Sequence, residues 1–353
     1  MRTAFLSAPE TIELKTVPDL SCGPDEILIR VVACGMCGSD VRIFHYGNKR
    51  VQFPATIGHE VAGIVVEKGN AVSDVFHVGD RVALGADIPC GTCYHCVEGN
   101  CNNCQENIAI GYQLPGGFAE YLKIDARIWS GGPIQKIPEN ISFEEAALAE
   151  PVACAINGME ILPNKTHGTI LIIGAGVLGC LLSELARIYH YQQVFLADDD
   201  LAKLSFIKER GYAADSFLTS DKTLPERIRE LTKGRGVDAV MVACPDLGAQ
   251  RLALDCLGPR GAVNFFAGLP SGSDDLLFPS NLIHYNELYV TGSHGSTPDQ
   301  HLRALDFIGR GQVRVKNLIT HRFSLADLAQ AFARAENSQN RLKVMILPGE
   351  ETT

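Results

Sequence analysis

The stretch TILIIGAGVLG, residues 169–179, limits the fold of this chain more than any other. An apolar run, a glycine turn and then helical periodicity read as a strand feeding directly into a helix. Gly174, Gly176 and Gly179 stand in the G-x-G-x-x-G arrangement. There the first glycine permits a tight turn and the second lets a pyrophosphate approach the backbone N–H groups of the helix start. The third lets the helix pack closely on the strand. Val177 and Leu178 open that helix. The next apolar run, QVFLAD (193–198), ends in Asp198, about 20 residues beyond the glycines, where a carboxylate accepts hydrogen bonds from an adenosine ribose. It would also repel a 2′-phosphate, so NAD is expected rather than NADP. Asp199 and Asp200 deepen the negative field, and one of them suits a helix N-cap.

Further apolar runs, VDAVMVAC and GAVNFFAG, are separated by the helical stretch DLGAQRLALDCLG. Strands alternating with helices of this length predict a parallel α/β sheet. The first 150 residues differ. EILIRVVACG, EVAGIVVEKGNAV and HVGDRVALG are short apolar runs closed by Gly, Asp or Pro, as in a β-rich, barrel-like domain. The pattern turns helical near Glu144, in SFEEAALAEPVACAINGMEIL. A helix near 324–336 and a strand RLKVMIL end the chain and are expected to rejoin the first domain. The expected division is 1–155 with 292–353 as one domain and 156–291 as the dinucleotide-binding domain.

A net charge of −10, with 31 basic residues scattered among 41 acidic ones, argues against a nucleic-acid partner. No run of about 20 apolar residues is present, so no membrane partner is expected. MRTAFLSAPETIEL lacks a long apolar core, which points away from export and toward the cytoplasm.

Twelve cysteines are many for such a chain, and five lie in PCGTCYHCVEGNCNNC (89–104). In a reducing compartment this run reads as a metal cage, although disulfides are the alternative. Cys90, Cys93 and Cys96 can fold around one tetrahedral ion, and either Cys101 or Cys104 could complete it. A closed four-thiolate site has no open position and is structural. His95, within the run, reads as a solvated loop residue. A second set, Cys37 in ACGMCGSDVRIF (33–44) with His59 and Glu60 in TIGHEVAGIVVE (56–67), offers a thiolate, an imidazole and a carboxylate.

CGMCGSD, GHEVAG, GDRVAL, PCGTCYHC, GGFAEY, ALAEPVACAI and GAGVLG occur in the order found in the zinc-dependent medium-chain alcohol/polyol dehydrogenases, which the chain resembles nearly end to end. AEPVAC, NLIHYNELYVTGSHGSTPDQ and LITHRF resemble the sorbitol (L-iditol 2-) dehydrogenase branch. The resemblance implies an α/β architecture with a GroES-like β-rich catalytic domain and a Rossmann-type doubly wound parallel sheet. It implies two zinc ions per chain. One is catalytic, held by Cys37, His59, Glu60 and Glu150, with Glu60 or Glu150 exchangeable. The other is structural, held by Cys90, Cys93, Cys96 and Cys104, which leaves Cys101 as a free thiol. Ser39 is implied as the hydroxyl that takes the substrate proton, and Ala267 and Leu269 as backbone contacts to the cofactor. A homotetramer, or a homodimer, is implied as well.

The expected reaction is zinc- and NAD-dependent oxidation of a secondary hydroxyl of a polyol or sugar-derived alcohol. A polyol phosphate, a cyclitol or a 3-hydroxy amino acid such as threonine is the alternative substrate. A non-catalytic zinc- and NAD-binding protein is the rival of a different class. The chain departs from its relatives at Arg42, where many carry His, and His45 is the substitute considered for the proton outlet. Ile43 replaces an aromatic residue, and SHGS (293–296), with His294, replaces an Arg-Tyr pair. Arg42 is the candidate cation for a substrate carboxylate.

Overall fold

The computed structural model of the chain describes residues 1–163, 168–212, 215–270, 272, 277–337 and 339–349. It divides into two units, Met1–Ala153 with Gly295–Gly311 and Val315–Thr353, and Cys154–His294 with Gln312–Arg314. The expected division placed residues 312–314 with the first unit. They group with the second because Arg314 grips Glu184 through Nε (2.9 Å) and Nη2 (2.7 Å).

The first unit is built on a seven-stranded sheet whose central strand is Ile27–Met36. That strand is buried almost throughout, so its sequence is nearly continuous in apolar residues rather than alternating. Glu60–Lys68 pairs antiparallel with it on one side, with Gly35 opposite Glu60. Lys343–Leu347 pairs antiparallel on the other side, with Val344 opposite Met36. The last strand of the chain therefore lies in the same sheet as the first long one. Phe118, Phe332, Ile29, Val61 and Ile346 belong to the core beneath it.

The predicted helix after Glu144 is two helices, Phe143–Ala147 and Ala149–Ile161. Ser142 and Glu145 form a capping box at the start of the first. Pro151 has no N–H to continue that helix, but it is tolerated in the opening turn of the next, where N–H groups lack helical partners. Glu150 sits in that opening turn.

The second unit is a six-stranded, all-parallel sheet. Its strands, in spatial order, are Asp215–Leu218, Gln193–Asp198, Thr169–Ile173, Val237–Val242, Leu257–Phe265 and Tyr289–Gly292. By chain position this is 3-2-1-4-5-6, and ligands bind such sheets at the carboxyl ends of the strands where the order reverses. That point lies between Thr169–Ile173 and Val237–Val242, and the glycine turn follows the first of them directly. Thr169–Ile173 is buried on both faces, as a central parallel strand must be.

Candidate active site

Cys37 follows the central strand of the first unit and caps the helix Gly38–Tyr46 in an extended conformation. Its N–H donates to Asp40 Oδ2 at 2.8 Å. Asp40 is wholly buried, and its other oxygen accepts from Gly58 N–H at 3.2 Å. The same oxygen lies 3.3 Å from His59 Nδ1, an ion-pair distance without hydrogen-bond alignment. One carboxylate thus orders both the thiol loop and the loop that carries the imidazole, as groups behind metal ligands commonly do. Burial works against a charged His59, but Asp40, and after it Cys37, outweigh the burial and hold its pKa well above the ordinary value.

Glu60 begins the neighbouring strand and is fully buried. A side-chain carbon at Gly35 would stand 1.9 Å from Glu60 Oε2, so only glycine leaves that carboxylate its place. Lys343, also buried, reaches it from the other neighbouring strand with Nζ at 2.6 and 2.7 Å from the two oxygens. Burial opposes the lysine's charge, yet Glu60, Cys37 and Glu150 raise its pKa.

The ligand atoms of Cys37, His59 and Glu60 lie within 4.8 Å of one another. Glu150, expected with them, falls outside that set, although it is buried and acts on Lys343 electrostatically. One carboxylate, one thiol and one imidazole converge there, with one lysine against the carboxylate. Such a donor set fits a divalent zinc ion.

Ser39 Oγ lies 3.4 Å from His59 Nε2. Tyr112, which sequence reasoning did not single out, stands near Ser39, and its ring lies 5.7 Å from the His59 ring. Burial pushes the Tyr112 phenol up, partly offset by His59 and Ser39. Asp40 and Lys343 were missed too. Their only local signals were an acid three residues past Cys37 and a lysine inside the apolar run RLKVMIL.

The substitute residues fall elsewhere. Arg42 is exposed on its helix and Ile43 is a core residue. Both ring nitrogens of His45 are taken, Nδ1 by Glu10 at 2.8 Å and Nε2 by Glu336. His294, in the second unit, accepts from Asn157 Nδ2 through its carbonyl at 3.1 Å.

The cysteine run closes on itself as four sulfurs. Cys90, Cys93, Cys96 and Cys104 form one ligand set. Their Sγ–Sγ distances include 4.0 Å (Cys90–Cys96), 3.6 Å (Cys93–Cys96) and 3.9 Å (Cys93–Cys104). Zinc–sulfur bonds of about 2.3 Å in a tetrahedron give edges of about 3.8 Å, so the cage fits the ion. None of these cysteines is in a disulfide. Backbone and hydroxyl donors of Thr92 and the Cys93 N–H hold the Cys90 pKa down at about 6, while burial pushes Cys104 up to about 12. Cys101 turns to the Cys96 carbonyl (3.8 Å), and His95 is not in the set.

In the second unit Gly174 has φ +109°, and a side-chain carbon at Gly179 would meet Gly174 O at 1.8 Å. At Gly176 it would meet no protein atom within 4 Å, so that glycine serves no internal contact and leaves space beside the start of the helix Val177–Ile188. This cradle fits a dinucleotide pyrophosphate. Asp198 is more occupied than its motif suggests. Oδ2 accepts from Ala175 N–H (2.6 Å) and Lys203 Nζ (2.8 Å), and Oδ1 accepts from Asp200 N–H (3.2 Å). Burial raises its pKa, but Lys203 and the Ala175 N–H bring it below the usual value. Asp200, rather than Asp199, caps the next helix. Ala267 and Leu269 lie just past the strand Leu257–Phe265, with the Ala267 N–H given to Val242 O at 3.0 Å.

Residues 23–133 match the family model "Alcohol dehydrogenase GroES-like domain", and 177–310 match "Zinc-binding dehydrogenase". The sorbitol dehydrogenase of Bacillus subtilis (strain 168) is 31% identical over 99% of this chain and 97% of its own length. The D-arabitol-phosphate dehydrogenase of Enterococcus avium is 32% identical over 91% of this chain and 90% of its own. A zinc-binding dehydrogenase from Sinorhizobium meliloti 1021, solved bound to NADP, superposes with a TM-score of 0.89 at 30% identity, covering 98% of this chain and 99% of that one. The chain belongs to the zinc-dependent medium-chain alcohol/polyol dehydrogenase family.

Proposed function

We propose that this enzyme converts a secondary CH–OH of a polyol or sugar-derived alcohol to a ketone, with hydride passing to NAD and one proton released. The convergence of Cys37, His59 and Glu60 within 4.8 Å carries this reading. Cys37, His59 and Glu60, with Glu150 as the exchangeable partner, would hold the catalytic zinc, and Cys90, Cys93, Cys96 and Cys104 the structural one. Catalytic zinc supplies a Lewis acid that lowers the pKa of the substrate hydroxyl. The nicotinamide supplies the hydride acceptor.

The chain's own groups do the rest. Ser39 Oγ takes the hydroxyl proton, and the Tyr112 phenol near it offers the proton a way onward in place of the exposed Arg42. Asp40 keeps Cys37 and His59 in register. Lys343 pairs with Glu60. The glycine turn from Gly174 to Gly179, with Val177 and Leu178, receives the pyrophosphate, and Ala267 and Leu269 contribute backbone. Anionic Asp198, with Asp199 beside it, favours NAD over a 2′-phosphorylated cofactor.

We place the enzyme in the cytoplasm, since a cage of reduced thiols suits a reducing compartment. We propose a homotetramer. The edge strand Tyr289–Gly292 leaves Tyr289 and Val290 exposed, with Tyr285 exposed on the preceding helix. An apolar open edge is a template for pairing with another copy.

The test is NADH and NADPH formation by zinc-loaded protein across neutral polyols, polyol phosphates, cyclitols and threonine, repeated with Cys37→Ser. Turnover on a polyol with NAD is expected, falling by at least about 100-fold in the variant as bound zinc drops from two ions per chain to one. Zinc and NAD binding without turnover on any alcohol would overturn the reading.

A further inference from the structure

A cavity of about 690 Å³ opens in the first unit, beside the loop that follows the helix Gly38–Tyr46. Its lining includes Lys49, Arg50, Gln52, Thr56, Tyr112 and Gln113, and no carboxylate. In a chain of net charge −10 this is a local reversal of sign. The guanidinium of Arg50 lies over the Tyr112 ring, Cζ to ring centre 5.0 Å. Its Nη2 is out of solvent and has no hydrogen-bond partner among the described residues. A ring face attracts the cation but does not satisfy a buried N–H, and a half-buried charge without a counter-ion is costly to keep. The rest of the Arg50 side chain lines the cavity, where an anion would supply the missing counter-charge.

The cavity adjoins the catalytic residues. Tyr112 forms part of its wall and lies 5.7 Å, ring to ring, from His59. The 5.0 Å from Arg50 to the Tyr112 ring and that 5.7 Å limit the separation of guanidinium and imidazole to 10.7 Å. An extended pentitol or hexitol with a terminal phosphate is on that scale. Two cations with amide and hydroxyl donors around them suit a dianion with three terminal oxygens better than a single carboxylate.

We infer that this cavity receives a phosphate monoester, with Arg50 as the anion-binding residue and Lys49 in support, so that the substrate is a polyol phosphate. The inference rests on the polyol dehydrogenase reading above and assigns the substrate's charged end. Arg42, exposed on its helix, is replaced by Arg50 as the cation that reads the substrate.

The experiment compares kcat/KM for glucitol 6-phosphate with glucitol, and arabinitol 5-phosphate with arabinitol, with gluconate as a carboxylate control. It uses wild type, Arg50→Met, Arg50→Lys and Lys49→Gln. Calorimetric titration of glucitol 6-phosphate into each zinc-loaded protein gives a second readout, and thermal melting confirms that each variant is folded. The phosphorylated substrate is expected to win by at least tenfold. That ratio should fall by about 10- to 100-fold in Arg50→Met and less in Arg50→Lys. Calorimetric binding should weaken in the same order. Neutral polyols used as well as their phosphates, or a phosphate preference unmoved by Arg50→Met, overturns the inference while leaving the dehydrogenase reading intact. An Arg50-dependent preference for gluconate overturns the phosphate assignment. If no alcohol turns over, the dehydrogenase reading fails, and the calorimetric comparison alone decides whether Arg50 holds a phosphate.

Discussion

Glu60 takes a carboxylate to a place water does not reach, and Lys343 is its buried partner there. A buried ion pair of this kind contributes little net stability while both partners are present, but removing one leaves an uncompensated charge. Lys343→Met is therefore expected to destabilise the metal-free protein by about 3–5 kcal/mol, read from urea unfolding. A loss below about 1 kcal/mol would show that the buried pair carries no such penalty. Residue type offered Cys37, His59 and Glu60 as donors, but the family resemblance is what made a metal site of them and added Glu150. Neither marked Lys343 or Asp40, since a lysine in a strand or an acid in a helix cap means nothing until its neighbours are known.

Elements in the first unit are tied by single polar residues as well as by their core. His45, in the last turn of its helix, bridges Glu10 in the turn between the first two strands and Glu336 at the end of the helix Leu328–Glu336. The bonds from Glu10 and Glu336 raise the imidazole pKa. Folding thus favours the charged ring, so the clasp is fully present below the unfolded imidazole value of about 6.5 and is lost as pH rises through the raised folded value. His45→Gln should lower the melting temperature at pH 6, and the difference from wild type should close by about pH 9. An equal difference at both pH values would mean that the bridge does not depend on the ring's charge. Most elements were legible from apolar periodicity. The break between Phe143–Ala147 and Ala149–Ile161 was not, because periodicity runs through Pro151 while the hydrogen bonds do not.

On the scale of the whole molecule, the open edge at Tyr289–Gly292 makes assembly testable. Val290→Lys places a charge on that edge and is expected to shift the protein to smaller species in size-exclusion chromatography with light scattering, without loss of zinc. An unchanged mass would place the interface elsewhere. By itself the sequence determined what depends on near neighbours. The glycine turn on its strand and helix, the Cys90–Cys93–Cys96 spacing and the parallel alternation of the second unit are all written within short windows. Tertiary structure decided what depends on distant segments meeting. Strand pairing sets Lys343 against Glu60, 283 positions away in the chain, and clears Gly35 so that the carboxylate fits between them. Loop packing lays Arg50 on Tyr112 beside Ser39, and an ion pair with Lys203 occupies the carboxylate of Asp198 that its motif leaves free. A local pattern can name a donor. Which charge stands opposite it is fixed only when the sheet closes, because Coulomb attraction and desolvation depend on distance in space rather than along the chain.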